Sequence, residues 1–256
     1  MQREFFTDKL KVLVADSREE MGNIAAEAIH GKILELLAEK EHINMLFAAA
    51  PSQNEMLDTL ASYADIPWER INALHMDEYV KLPADAPQGF GNFLRRAIFG
   101  KVNFRTVSYL DGNAADIEEE CKRYTALLEQ YPLDIACIGI GENGHIAFND
   151  PHVADFNDPK LVKVVDLDDR CRQQQVNDGC FASFDLVPRN ALTLTVPSIF
   201  AAGYIACVVP AATKAEAVKN TVEGEIGEYC PATVIRRHND ATLYLDPDSA
   251  SLLSKA

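Results

Sequence analysis

Glu142, His145 and Asp150 crowd into one short segment, Gly139-Ile140-Gly141-Glu142-Asn143-Gly144-His145-Ile146-Ala147-Phe148-Asn149-Asp150-Pro151. An imidazole, with a carboxylate near enough to orient it, is the minimum equipment for moving a proton to or from a substrate oxygen. Asp150 and Glu142 both qualify as the orienting group. The glycines ahead of the histidine tolerate positive φ and let backbone N–H groups approach an anion. A glycine turn with a surface histidine is the plainer reading of a lone Gly-x-Gly, but the whole string favours a site.

Other segments end in polar groups of the same kind. Ile71 to Met76 runs into Asp77-Glu78-Tyr79, which predicts a half-buried Asp77 whose carboxyl is pushed upward by desolvation. Asp77 is then a proton carrier or, equally, the cap of the next turn. Ile43 to Ala48 runs into Ala49-Ala50-Pro51-Ser52-Gln53. Lys214 follows Pro210-Ala211-Ala212-Thr213 at the expected start of a helix, where a cation beside free N–H groups makes an anion site. A solvated lysine is the ordinary alternative. Arg170, flanked by Asp168 and Asp169, reads either as a ligand group or as a surface ion pair.

The elements that must position these groups alternate strand and helix. Strands are expected at Leu10–Val14, Ile43–Ala48, Ile71–Met76, Leu133–Ile140, Val162–Val165, Ala191–Val196, Tyr204–Val209, Thr233–Ile235 and Ala241–Leu245. Helices are expected over Arg18–Lys40 behind an Asp16-Ser17 cap, and over Glu55–Tyr63, Phe90–Phe99, Ala114–Gln130 and Thr213–Val222. Pro83–Pro87 and Asp150–Asp158 read as loops. This alternation predicts an α/β fold with a Rossmann-like, doubly wound, mostly parallel sheet and helices on both faces. The strand ends then line one edge, where such sheets bind ligands. No repeat or linker divides residues 1–256, so one domain is expected.

Composition narrows the function further. A net charge of −15 argues against a nucleic-acid partner. Apolar runs are broken within about a dozen residues, which predicts no membrane span. The N-terminal residues carry no signal-peptide pattern. The six cysteines show no paired spacing, which suits reduced thiols in the cytoplasm and gives no metal site.

Met76-Asp77-Glu78-Tyr79-Val80, the Gly139-to-Pro151 string, and Lys214-Ala215 followed by Val222-Glu223-Gly224 together resemble glucosamine-6-phosphate deaminase. That family shares a superfamily with 6-phosphogluconolactonase, and the likeness runs from the first strand to Asp246. The resemblance implies conversion of an amino-sugar phosphate to a ketose phosphate plus ammonia, with no metal or organic cofactor. It assigns the C1/C2 proton to Asp77, ring opening to His145, the histidine's partner to Asp150 and phosphate binding to Arg170 and Lys214. Ser52 and Gly141 fall in its substrate-binding loops.

Three departures accompany the likeness. Asn143 stands where the family commonly has an ionisable Asp. The loop after the second strand is Ala49-Ala50-Pro51-Ser52-Gln53 rather than rich in Gly and Thr, and Pro51 has no N–H to offer a phosphate. The chain ends soon after Leu245, so allosteric regulation is not expected. A lactonase-like hydrolase and a non-catalytic sugar-phosphate sensor are the alternatives, the first opposed by Asp77. The hexosamine epimer and the oligomeric state stay open, a homo-oligomer included.

Overall fold

The computed structural model describes residues 2–254. In chain order the elements are β1 (Arg3–Thr7), β2 (Leu10–Val14), α1 (Arg18–Glu39), β3 (Ile43–Phe47), α2 (Asn54–Ser62), β4 (Ile71–His75), β5 (Asp77–Tyr79) and α3 (Phe90–Leu94). They continue as β6 (Thr106–Ser108), α4 (Ile117–Gln130), β7 (Ile135–Ile138), β8 (Val162–Asp166), α5 (Asp169–Asn177) and β9 (Asn190–Leu194). Last come α6 (Val196–Phe200), β10 (Tyr204–Val209), α7 (Ala215–Glu223) and β11 (Ala241–Leu245).

The short apolar runs build an eight-stranded sheet in the order β1-β2-β11-β10-β7-β3-β4-β6. Each pairing is parallel except the β1–β2 hairpin at the edge. Period-two alternation sends neighbouring side chains to opposite faces. Leu46 and Ile138 join one core with Tyr124, Leu128 and Val218 from α4 and α7. Phe47 and Cys137 join the other with Met21, Ile29 and Leu57 from α1 and α2. Helices therefore cover both faces, as the alternation predicts. β7 returns to the far side of β3 from β4, which opens a crevice at the carboxyl ends of β3, β7 and β10.

Helix starts follow their caps. Ser17 Oγ accepts the Glu20 N–H at 3.1 Å and starts α1. Asp116 Oδ1 accepts from the Glu118 and Glu119 N–H groups, so α4 begins at Ile117 and not at Ala114.

Several expected elements differ. Val162–Val165 and Ala191–Val196 do not extend the main sheet. With β5 they form a separate antiparallel sheet, β5-β9-β8, because the chain leaves β4 and pairs Asp77 opposite Thr193 after a single residue, Met76. Thr233–Ile235 lies inside a 3₁₀ helix, Pro231–Arg237: Pro231 fixes φ at its start, and its three β-branched residues simply pack inward. Phe90–Phe99 is helical but passes into a π turn at Arg95. β1, β6, α5 and α6 are additional elements that the hydrophobic pattern does not announce.

Candidate functional site

One cavity of about 510 Å³ opens at the crevice. Its wall takes Ala49 to Ser52 from the end of β3, Asp77 from β5, Gly139 to Gly141 and His145 from beyond β7, and Ala211, Thr213 and Lys214 from beyond β10. Pro87, Gln88, Phe90, Phe93 and Arg96 close another side, and α5 contributes Gln174 and Gln175.

Asp77 is almost fully buried and its carboxyl makes no hydrogen bond among the described residues. Burial first, then the charge of Glu78, raises its pKa well above the ordinary carboxylate range. A carboxyl whose affinity for a proton is raised in this way and that faces a cavity can take a proton from carbon and return it. Glu78 points elsewhere. Its Oε1 accepts the N–H groups of Tyr79 (2.9 Å) and Phe90 (3.1 Å), and its Oε2 accepts that of Gly91 (2.9 Å). It thus ties the Phe90 wall to β5.

His145 lines the same cavity. Asn143 Oδ1 accepts from its ring Nδ1 at 2.7 Å, and Asp150 Oδ1 lies 2.9 Å from the same nitrogen. Asp150 is wholly buried, yet hydrogen bonds and charge from His145, with bonds from Asn143 and Asp168, hold its pKa below the usual value against the desolvation. An ionised Asp150 places the proton on Nδ1 and leaves Nε2 as the acceptor in the neutral ring of this cavity-lining residue. Gly141 makes room: any Cβ there would overlap the His145 ring. Gly144 adopts φ +84°, which closes the turn between them through Gly144 N–H to Gly141 O at 2.9 Å.

Lys214 is 6% exposed and its ammonium has no acceptor among the described residues. Burial lowers its pKa while the charges of Asp178 and Glu142 oppose the shift. It is a buried cation facing a cavity, which calls for an anion. The turn that carries it is strained: Ala211 has φ +84°, and its N–H donates to both oxygens of Asp246 at 3.1 Å.

The structure thus brings Asp77, His145, Gly141, Ser52 and Lys214 to one cavity, with Asn143 and Asp150 behind the histidine. Arg170 is not brought there. It stands exposed in the first turn of α5, one turn before the cavity-lining Gln174, and pairs with Glu216 at 2.8 Å instead of lining the cavity. Two other guanidinium groups reach the wall. Arg18 forks onto Glu55 (2.7 Å) and Pro51 O (2.8 Å), which locks the β3 loop, and Arg96 donates to Pro87 O (2.8 Å). Arg18 opens the helix after the first parallel strand, the one sequence signal for it. Gln174, whose Oε1 accepts the Glu142 N–H at 2.8 Å, had no signal, since α5 itself was not expected.

Ligand-type atoms of His145, Asp150 and Cys171 lie within 4.8 Å of one another. The histidine and carboxylate are bonded to each other there, and burial followed by the charge of Asp150 pushes the Cys171 thiol upward, so the trio is a hydrogen-bonded network of protonated sulfur.

Residues 16–244 match the family model described as glucosamine-6-phosphate isomerases/6-phosphogluconolactonase. The chain is 35% identical over 252 residues to the glucosamine-6-phosphate deaminase of Bacillus cereus (strain B4264), covering 96% of this chain and 90% of that one. It is similar to a solved monomeric glucosamine-6-phosphate deaminase at 30% identity and a TM-score of 0.85, over 94% of this chain and 99% of the other. A 6-phosphogluconolactonase from Thermotoga maritima shares the fold, with a TM-score of 0.76 at 21% identity over 93% of this chain and 100% of the other.

Proposed function

The chain belongs to the glucosamine-6-phosphate isomerase/6-phosphogluconolactonase family, and on that premise we propose that it deaminates an amino-sugar phosphate, glucosamine 6-phosphate or a close analogue. The product is the ketose phosphate, with ammonia released. The observation that carries this reading is Asp77: an unpartnered, buried carboxyl facing the same cavity as an oriented imidazole and a buried lysine. Lactone hydrolysis has no use for a carbon base at that place.

The residues divide the work by chemistry. Lys214 holds the phosphate away from the reacting carbons, and that binding orients the sugar. Arg18 and Ser52, on the wall of the same cavity, are the further candidates for that end. His145 Nε2 exchanges a proton with the ring oxygen and opens the ring, while Asp150 stabilises the charged imidazole. Asp77 takes the proton from C2 of the open chain and delivers it to C1. Water then adds at C2 and ammonia leaves. The cavity size suits a hexose phosphate. The reaction uses residues of this chain alone, within one domain. Its cysteines, five buried and Cys180 half-buried, suit a reducing cytoplasm. Among the described residues no helix is long and apolar enough to cross a membrane.

An ammonia-release assay across glucosamine, galactosamine and N-acetylated 6-phosphates, with 6-phosphogluconolactone as a parallel substrate, tests the reading. Ammonia from an unacetylated hexosamine 6-phosphate is expected. Lactone turnover without ammonia would overturn the reading in favour of a hydrolase, and binding without turnover in favour of a sensor.

A further inference from the structure

Asn143 cannot ionise, yet it occupies the centre of the histidine's support. Its Oδ1 accepts from His145 N (3.1 Å) and His145 Nδ1 (2.7 Å). Its Nδ2 gives one hydrogen to Asp150 Oδ1 (2.9 Å) and the other to Asp168 Oδ2 (3.0 Å). Two carboxylates on one side of the amide fix which end is nitrogen, because a reversed amide would set its oxygen against both. Asp168 itself is held firmly. Its Oδ1 caps α5 by accepting Cys171 N–H at 2.6 Å, and its own N–H donates to Asp150 Oδ2 at 3.3 Å.

We propose that Asp168 is a positioning residue for His145, acting through the Asn143 amide whose Nδ2 it accepts from. The assignment rests on the deaminase reading of the site for its kinetic consequence, though not for its geometry. One carboxylate and one amide touch the ring, and the second carboxylate holds the amide. A carboxylate at 143 would face Asp150 and Asp168 at hydrogen-bond distance with no proton between them, a like-charge contact that the amide avoids. Removing the charge at 168 leaves a different fault. One oxygen there must accept the Cys171 N–H and the other the Asn143 Nδ2–H, and an Asn has only one oxygen. Either α5 loses its cap or the 143 amide loses the partner that keeps its oxygen on His145.

The consequence for the reaction is a fixed tautomer. With the 143 oxygen and Asp150 both accepting, Nδ1 carries the hydrogen and Nε2 is the ring's free acceptor. A wrong tautomer in a comparable arrangement costs about 10⁴-fold in turnover. A loosened one should cost less, roughly 10- to 100-fold.

The test is a charge exchange: Asn143→Asp, Asp168→Asn and the double variant, read by kcat for ammonia release and by ring ¹⁵N shifts of His145. Those signals are assigned by their loss in His145→Gln. Each single variant should lower kcat roughly 10- to 100-fold with a smaller change in KM, and Asp168→Asn should mix the Nδ1–H and Nε2–H forms. The double variant should lose less than the two single losses combined, because the new carboxylate then accepts from the new amide, while its like-charge contact with Asp150 keeps it below the wild type. Additive losses in the double variant, or an Asp168→Asn protein with wild-type kcat and an unmixed tautomer, would overturn the proposal. If Asn143→Asp does not fold, the tautomer of Asp168→Asn decides alone. A wild-type chain that releases no ammonia refutes the deaminase reading, and the ¹⁵N readout still judges Asp168.

Discussion

At the scale of single residues, Asp77 and Lys214 make opposite demands on the fold and on the chemistry. Asp77→Asn keeps the shape and removes the base, so turnover should fall by about 10³-fold or more, at the strong end of what acid–base groups supply. Because only the ionised carboxyl abstracts a proton and burial raises its pKa, wild-type kcat/KM should climb with pH along the Asp77 limb. Full activity in Asp77→Asn would remove that residue from the mechanism. Lys214→Met should raise KM for the phosphorylated sugar at least about tenfold, the order of one charge-assisted hydrogen bond. Arg170→Ala should leave KM within about twofold, since its guanidinium pairs with Glu216 outside the cavity. A large KM effect at Arg170 with none at Lys214 would reverse the assignment. Asp77, His145 and Lys214 were legible in the sequence because each follows an apolar strand with a residue type that chemistry restricts. Arg170 stands off the cavity, paired with Glu216, because a motif does not fix which turn of a helix reaches the site.

At the scale of elements, the parallel strands were readable from continuous apolar runs, and the antiparallel β5-β9-β8 sheet was not. Val162–Asp166 and Asn190–Leu194 have the same composition as main-sheet strands, and only the turn of the chain at Met76 sends them elsewhere. That turn has a mechanical result. β5 carries Asp77 into the cavity and Glu78 out of it, successive residues on opposite faces. Glu78 then holds the Phe90 and Gly91 N–H groups, which stand at the start of α3 and would otherwise be unsatisfied. Glu78→Ala should cost roughly 1–3 kcal/mol, or about 2–4 °C in Tm per kcal/mol for a chain of this size. It should also raise KM more than it lowers kcat, because Phe90, Phe93 and Arg96 wall the cavity without touching Asp77's proton. Glu78→Gln keeps one acceptor oxygen and should lie between. A Glu78→Ala protein with unchanged KM would show that the wall stands without this tie.

At the scale of the whole molecule, two buried titratable groups tilt stability in opposite directions with pH. His75 is fully buried, and burial lowers its pKa from 6.5 to about 3. Between those values the unfolded chain binds a proton that the folded one refuses, so stability falls as pH falls, by up to roughly 1.4 kcal/mol per unit. Asp77 has the reverse sign. Its folded pKa is raised, so its contribution is complete below the unfolded value of about 3.9 and is lost as pH rises towards the folded value. Asp150, with a lowered pKa, acts mainly below its ordinary value of 3.8, outside the window where the first two compete. The wild-type curve between pH 4 and 6.5, a window of about 2.5 units set by the unfolded carboxyl and imidazole values, should therefore be flatter than either group alone would make it. Replacing one group should expose the other. Asp77→Asn should be more stable than the wild type near neutrality, by roughly 1 kcal/mol or more, and should lose stability more steeply as the solution is acidified. His75→Gln, which keeps an acceptor for the Leu110 N–H, should show the opposite tilt. Urea midpoints at constant m measure both slopes. Parallel curves for Asp77→Asn and the wild type would mean that Asp77 ionises as freely in the fold as outside it, and the site would lose the buried carboxyl on which its carbon chemistry depends.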